Sequence, residues 1–160
     1  MNQFLFGVEW GELDYLIIDL PPGTGDVQLS LIQTAPVTGA VVVTTPSEVS
    51  LEDARKALDM FEQVRVPILG LVENMSYYMH PGVAEPIDLF GRGGGKRMAE
   101  ATRIPFLGEL PLDPKIRQGG DTGRPVSVAG SDAFLALAEK VIGRVGEVRA
   151  SKKTTIVMED

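Results

Sequence analysis

The sequence predicts an α/β fold, a mostly parallel sheet with flanking helices. Three observations carry that prediction. Short apolar runs at 15–20, 39–45, 68–73 and 106–110 read as strands, and the first, rich in β-branched residues, fits a strand buried on both faces. Stretches with apolar residues at helical spacing alternate with them, as in a β-α-β chain. Most of the runs lead into Pro, Gly, Asn or Asp, which places loops at the carboxyl edge, where open α/β sheets bind ligands.

The 160 residues suit one domain, placed at 1–150, with 151–160 as a flexible tail. There are 22 acidic and 15 basic side chains, a net charge of -7, so no basic footprint argues for nucleic acid. The chain has no cysteine, which excludes disulfides and thiolate ligands from it. No apolar run is long enough to span a bilayer, and residues 1–7 lack the basic start of a secretory signal. The expectation is a cytoplasmic protein without membrane contact.

In chain order, residues 1–13 mix Phe4, Leu5, Phe6, Val8 and Trp10 with Glu9 and Glu12 and read as a short helix packed on the sheet. In the 15–20 strand, Asp19 is a carboxylate that needs a cation or donors if it is buried. Pro21, Pro22, Gly23 and Gly25 end that strand in a tight loop. An acid at a strand tip followed by a glycine-rich loop suits a Mg-nucleotide site: the acid holds the metal or its water, and the loop responds to the terminal phosphate. Val27, Leu29, Leu31 and Ile32 predict a brief helix closed by Pro36. After the 39–45 strand, Ser50 is an N-cap candidate with Asp53 three residues on. Leu51, Ala54, Leu58, Phe61 and Val64 then recur at helical spacing, with charged residues largely opposite.

The 68–73 strand delivers Asn74 to the ligand edge. Its amide can pair with the edge of adenine or cap the strand-end turn. Residues 77–95 form a loop-rich insertion ending in Gly93, Gly94 and Gly95, read as a backbone turn before a helix to about Arg103. That run lacks the Lys-Ser/Thr ending of a phosphate loop. Residues 115–124, polar and glycine-rich, are expected to be a mobile connection. Ser131 or Asp132 caps a last helix, with Phe134, Leu135, Leu137, Ala138, Val141, Ile142 and Val145 facing inward.

Asp19-Leu-Pro-Pro-Gly-Thr-Gly-Asp26 resembles the switch motif of the Mrp/ApbC-type P-loop ATPases. These are iron–sulfur cluster carriers of the deviant Walker group, related to MinD and the nitrogenase iron protein. The likeness continues through Thr45-Pro-Ser-Glu-Val-Ser-Leu-Glu-Asp-Ala-Arg-Lys-Ala57, Gly70-Leu-Val-Glu-Asn-Met-Ser-Tyr77 and Phe90-Gly-Arg-Gly-Gly-Gly95. With Pro105-Phe-Leu-Gly-Glu-Leu-Pro-Leu-Asp-Pro114 it covers about nine-tenths of the chain. The resemblance implies an ATPase that binds ATP and Mg, acts as a homodimer and serves apo iron–sulfur proteins. It makes Asp19 and Asp26 catalytic, with Asp19 on Mg through water, and assigns Pro22 and Gly23 to the nucleotide-binding switch. Asn74, Pro111, Leu112 and Asp113 fall around the adenine.

Two departures accompany the resemblance. No Gly-x-x-x-x-Gly-Lys-Ser/Thr occurs. The family's phosphate loop is expected upstream of residue 1, so the chain reads as an N-terminally truncated, C-terminal part of a longer ATPase. The Cys-x-x-Cys of many members falls on His80 and Val83, leaving His80 as the candidate cluster ligand. Two other readings are a non-catalytic fragment that only associates with a partner, and a MinD/ParA-like positioning ATPase. The latter lacks the basic amphipathic C-terminal helix that a membrane surface would call for.

Overall fold

The computed structural model describes residues 5–21, 25–125 and 132–154. Strands β1 (Ala40–Thr44), β2 (Ile68–Glu73) and β3 (Phe106–Glu109) form one parallel sheet in chain order. The helices are α1 (Asp26–Thr34), α2 (Glu48–Gln63), α3 (Gly94–Thr102), α4 (Pro114–Asp121) and α5 (Asp132–Thr154). Successive residues of β2 face opposite layers. Leu71 packs with Leu51, Leu58 and Phe61 of α2 and Met98 and Ala99 of α3, whereas Val72 packs with Leu107 and the Phe134, Leu137 and Val141 side of α5. Both faces of the sheet are covered, which is why its strands are almost wholly apolar.

Each strand pair carries one bulge, and the two bulges share a local sequence. Pro67-Ile68-Leu69-Gly70 and Pro105-Phe106-Leu107-Gly108 leave Leu69 and Leu107 without a cross-strand partner. Arg144 Nε donates to the Leu69 carbonyl at 3.1 Å, and Lys140 Nζ donates to the Leu107 carbonyl at 2.7 Å. These cations stand one helical turn apart on α5, so one helix face satisfies both bulges. Each bulged leucine also lies over a glycine of the preceding strand segment. A Cβ on Gly39 would sit 2.7 Å from Leu69 Cδ2, and one on Gly70 would sit 2.5 Å from Leu107 Cγ.

Several expectations are corrected. Residues 15–20 are not a strand: the segment pairs with no other strand among the described residues, and Ile17 is 91% exposed. A strand needs a ladder partner, and apolar composition alone does not supply one. Helix is found at residues 5 and 6 but not over 7–13, so the short N-terminal helix does not extend as expected. Helix α2 is capped by Ser47, whose hydroxyl accepts the Ser50 amide, so Ser50 lies inside the first turn. Residues 114–121 are helical rather than a loose connection, because Asp113 caps them and Pro114 suits the first turn. On α5, Phe134, Leu137, Val141 and Val145 make the inward stripe, while Leu135, Ala138 and Ile142 face outward. That helix continues through Thr154, past the expected start of the tail. Ser131 lies outside the described residues.

Candidate functional site

At the carboxyl edge of the sheet the chain stays hydrogen-bonded after the strands end. The Asn74 amide donates to the Thr44 carbonyl at 2.7 Å, and the Leu110 amide to the Glu73 carbonyl at 2.8 Å. The Ser76 amide then donates to Leu110 at 3.0 Å and the Leu112 amide to Tyr77 at 2.7 Å. Four of the sequence-derived positions, Asn74, Pro111, Leu112 and Asp113, are thereby brought to one edge, all of them partly exposed. The end of β1 joins this edge through Thr44. Just beyond it, Thr45 Oγ1 donates to Ser50 Oγ at 2.8 Å and Ser47 Oγ donates to Ser50 Oγ at 3.0 Å.

Two of the four already have backbone work. Asn74 Oδ1 accepts the Met75 amide at 2.9 Å, which supports Met75 in the left-handed region at φ 55°. The strand-end cap is therefore present, and the side-chain NH2 group is the part suited to a ligand acceptor. Asp113 Oδ1 accepts the Lys115 amide at 2.8 Å as the N-cap of α4.

The switch residues are placed differently. Asp19 is exposed on the unpaired segment before α1, so the sheet does not deliver it to the carboxyl edge. Gln28, 3% exposed, donates from Nε2 to the Pro21 carbonyl at 2.8 Å and ties the entry of the loop to α1. Pro22, Gly23 and the Asp26 side chain lie outside the described residues. No group of three or more His, Cys, Asp or Glu gathers among the described residues. One exposed carboxylate does not by itself hold Mg.

His80 stands at the tip of a hairpin. Tyr78 and Ile87 exchange two backbone hydrogen bonds at 2.9 Å, and the Val83 amide donates to the His80 carbonyl at 3.1 Å. Pro81 and Gly82, the latter at φ 86°, occupy the centre of that turn, as a type II turn requires. The exposed His80 ring meets Tyr78 edge-on at 6.0 Å. Its turn brings positions 80 and 83 together, but a lone imidazole is no cluster site.

Sequence reasoning missed Glu73. It is 0% exposed, and its carboxylate accepts the Gly93 amide at 3.1 Å and the Gly95 amide at 2.5 Å. The backbone turn at the glycine run thus closes around one of this chain's own side chains. The three glycines serve different ends. Gly93 has φ 66°, a Cβ on Gly94 would lie 2.7 Å from the Pro46 carbonyl oxygen, and one on Gly95 would lie 3.1 Å from Glu73. The available signal was an acid closing an apolar strand, which must find donors if it is buried.

Comparison with known proteins gives the family of the chain. Residues 1–145 match the family model described as ParA: NUBPL iron-transfer P-loop NTPase. An iron-sulfur cluster carrier protein of Deinococcus radiodurans is 51% identical over 96% of this chain and 43% of its own length. The mouse iron-sulfur cluster transfer protein NUBPL is 45% identical over 91% of this chain and 47% of its own. A nucleotide-binding protein of Archaeoglobus fulgidus, solved in complex with ADP, superimposes with a TM-score of 0.72 at 44% identity. That match covers 83% of this chain and 54% of the other. The chain spans about half the length of the relatives it matches.

Proposed function

The chain belongs to the ParA family of NUBPL-type iron-transfer P-loop NTPases, and from that premise we propose that it supplies the base side of a nucleotide site in an iron–sulfur cluster carrier. The observation that carries this reading is the convergence of Asn74 with Pro111, Leu112 and Asp113 at one edge of a parallel sheet. In this reading Asn74 offers its NH2 group to an adenine ring nitrogen, and Pro111 and Leu112 pack against the ring. Asp113 holds the start of α4 in place beneath it. The phosphate side comes from a loop of the Gly-Lys-Ser/Thr kind, which these 160 residues do not contain. Asp19 and Asp26, with Pro22 and Gly23, serve that side once it is assembled, and Mg belongs there too.

Cluster transfer is assigned to the assembled carrier, a cytoplasmic homodimer with apo iron–sulfur proteins as clients. With no cysteine, this chain brings no thiolate to the cluster, which is cargo in this reading. No described helix is long and apolar enough to cross a membrane. The test is Asn74→Ala in a protein where the phosphate loop is present. Adenine nucleotide binding is expected to weaken by about 1–3 kcal/mol, with a reduced preference for ATP over GTP. Unchanged affinity and preference would reduce Asn74 to its turn-capping role.

A further inference from the structure

Residues 74–92 run from the end of β2 to the start of α3, and one buried residue, Glu73, bonds at both roots of that excursion, through its main-chain carbonyl on one side and its carboxylate on the other. On the outgoing side, the Glu73 carbonyl accepts the Leu110 amide at 2.8 Å and the Ser76 hydroxyl at 3.0 Å. On the returning side, its carboxylate accepts the Gly93 and Gly95 amides. Each of these amides meets its own oxygen of that acceptor. Removing it would leave buried amides unsatisfied. Between the roots, the hairpin is pinned by the Tyr78–Ile87 pair and the turn from His80 to Val83. A lone hairpin of that kind is marginal in water, so its placement depends on its base.

We propose that Glu73 is a positioning residue that holds the 78–87 hairpin in fixed relation to the strand end carrying Asn74. It thereby joins the two halves of the proposed function, the nucleotide edge and the loop where the family's cluster ligands fall. Its use rests on that functional reading, whereas its measurement does not. The two sites are linked here by contiguous bonds. From Asn74 the path runs back through the backbone to Glu73, then across the carboxylate to Gly93 and Gly95 and so to the returning arm of the hairpin.

Backbone amide hydrogen exchange on the labelled chain tests this, comparing wild type with Glu73→Gln and Gly93→Ala. Glutamine keeps the shape but presents an NH2 group to one of the two amides. Alanine at position 93 opposes the left-handed backbone and leaves Glu73 untouched. In both variants the Gly95, Tyr78, Ile87 and Met75 amides are expected to lose protection together, by about tenfold or more. The Ala40 and Leu71 amides, which bond to Pro67 and Pro105 in the sheet, should keep theirs. Loss confined to Gly95 would overturn the proposal, since Glu73 would then only cap α3. Equal loss at Ala40 and Leu71 in both variants would overturn it too, because Glu73 would then serve the core at large. Where only Glu73→Gln disturbs the sheet, Gly93→Ala decides. Neither nucleotide nor cluster enters the measurement, so it separates this proposal from the functional reading.

Discussion

Replacing Ile17 by aspartate is expected to curb self-association of the chain without lowering its folding stability. Ile17 is 91% exposed, and Leu13, Tyr15, Leu16 and Ile18 beside it are each 40% exposed or more. The strip has no ladder partner among the described residues, and the Arg149 guanidinium of α5 lies over the Tyr15 ring, 5.6 Å from its centre. Fully covering one large aliphatic side chain stabilises by about 1.5–3 kcal/mol, and for Ile17 nearly all of that is still available. Leu16 and Ile18, a little under half exposed, add roughly 1 kcal/mol each. A contact covering all three would therefore gain about 3–5 kcal/mol, comparable with the lower end of a domain's total stability. The strip also has no lysine or internal proline to discourage pairing with another chain. Sedimentation velocity and light scattering across a range of concentrations check this, with urea unfolding in parallel. The wild type should associate with rising concentration, and Ile17→Asp should weaken that by about tenfold, or ~1.4 kcal/mol. Its urea midpoint at low concentration should match wild type, since Ile17 contributes almost no burial. A monodisperse wild type, or a midpoint lowered by the substitution, would refute the reasoning.

Three further outcomes are expected. The chain alone should hydrolyse ATP no faster than background, because phosphoryl transfer depends on positioning and charge neutralisation that a phosphate loop provides; phosphate release abolished by Asp19→Ala would contradict this. Anaerobic reconstitution with iron and sulfide should give no stoichiometric cluster, and a charge-transfer absorption lost in His80→Ala would show the opposite. Gly70→Ala should cost about 1–3 kcal/mol in urea unfolding, because its Cβ would overlap Leu107. Combined with Leu107→Ala the loss should be less than additive, and strict additivity would mean that the bulged leucine and the glycine do not press on each other.

The parts of this protein that the sequence determined by itself are those set by local pattern. Strands 39–45, 68–73 and 106–110, the amphipathic α2 and the arrival of Asn74 and Pro111–Asp113 at the carboxyl edge follow from periodicity and turn residues. The family is legible for the same reason, since its motifs are contiguous strings. What only the tertiary structure decided involves partners far apart in the chain. Whether 15–20 becomes a strand depends on a neighbouring backbone to complete its hydrogen bonds, and apolar composition cannot announce that neighbour. The polar run 114–121 is helical because the Asp113 side chain turned back on the Lys115 amide, and that carboxylate could equally have faced a ligand. The twin bulges were hidden because their carbonyls are satisfied by Lys140 and Arg144, 33 and 75 residues away. Glu73 and the glycine run 20 to 22 residues beyond it read separately as a strand-end acid and a flexible turn. Burial made them one unit, because a carboxylate removed from water must take its donors from whatever backbone packing brings within reach.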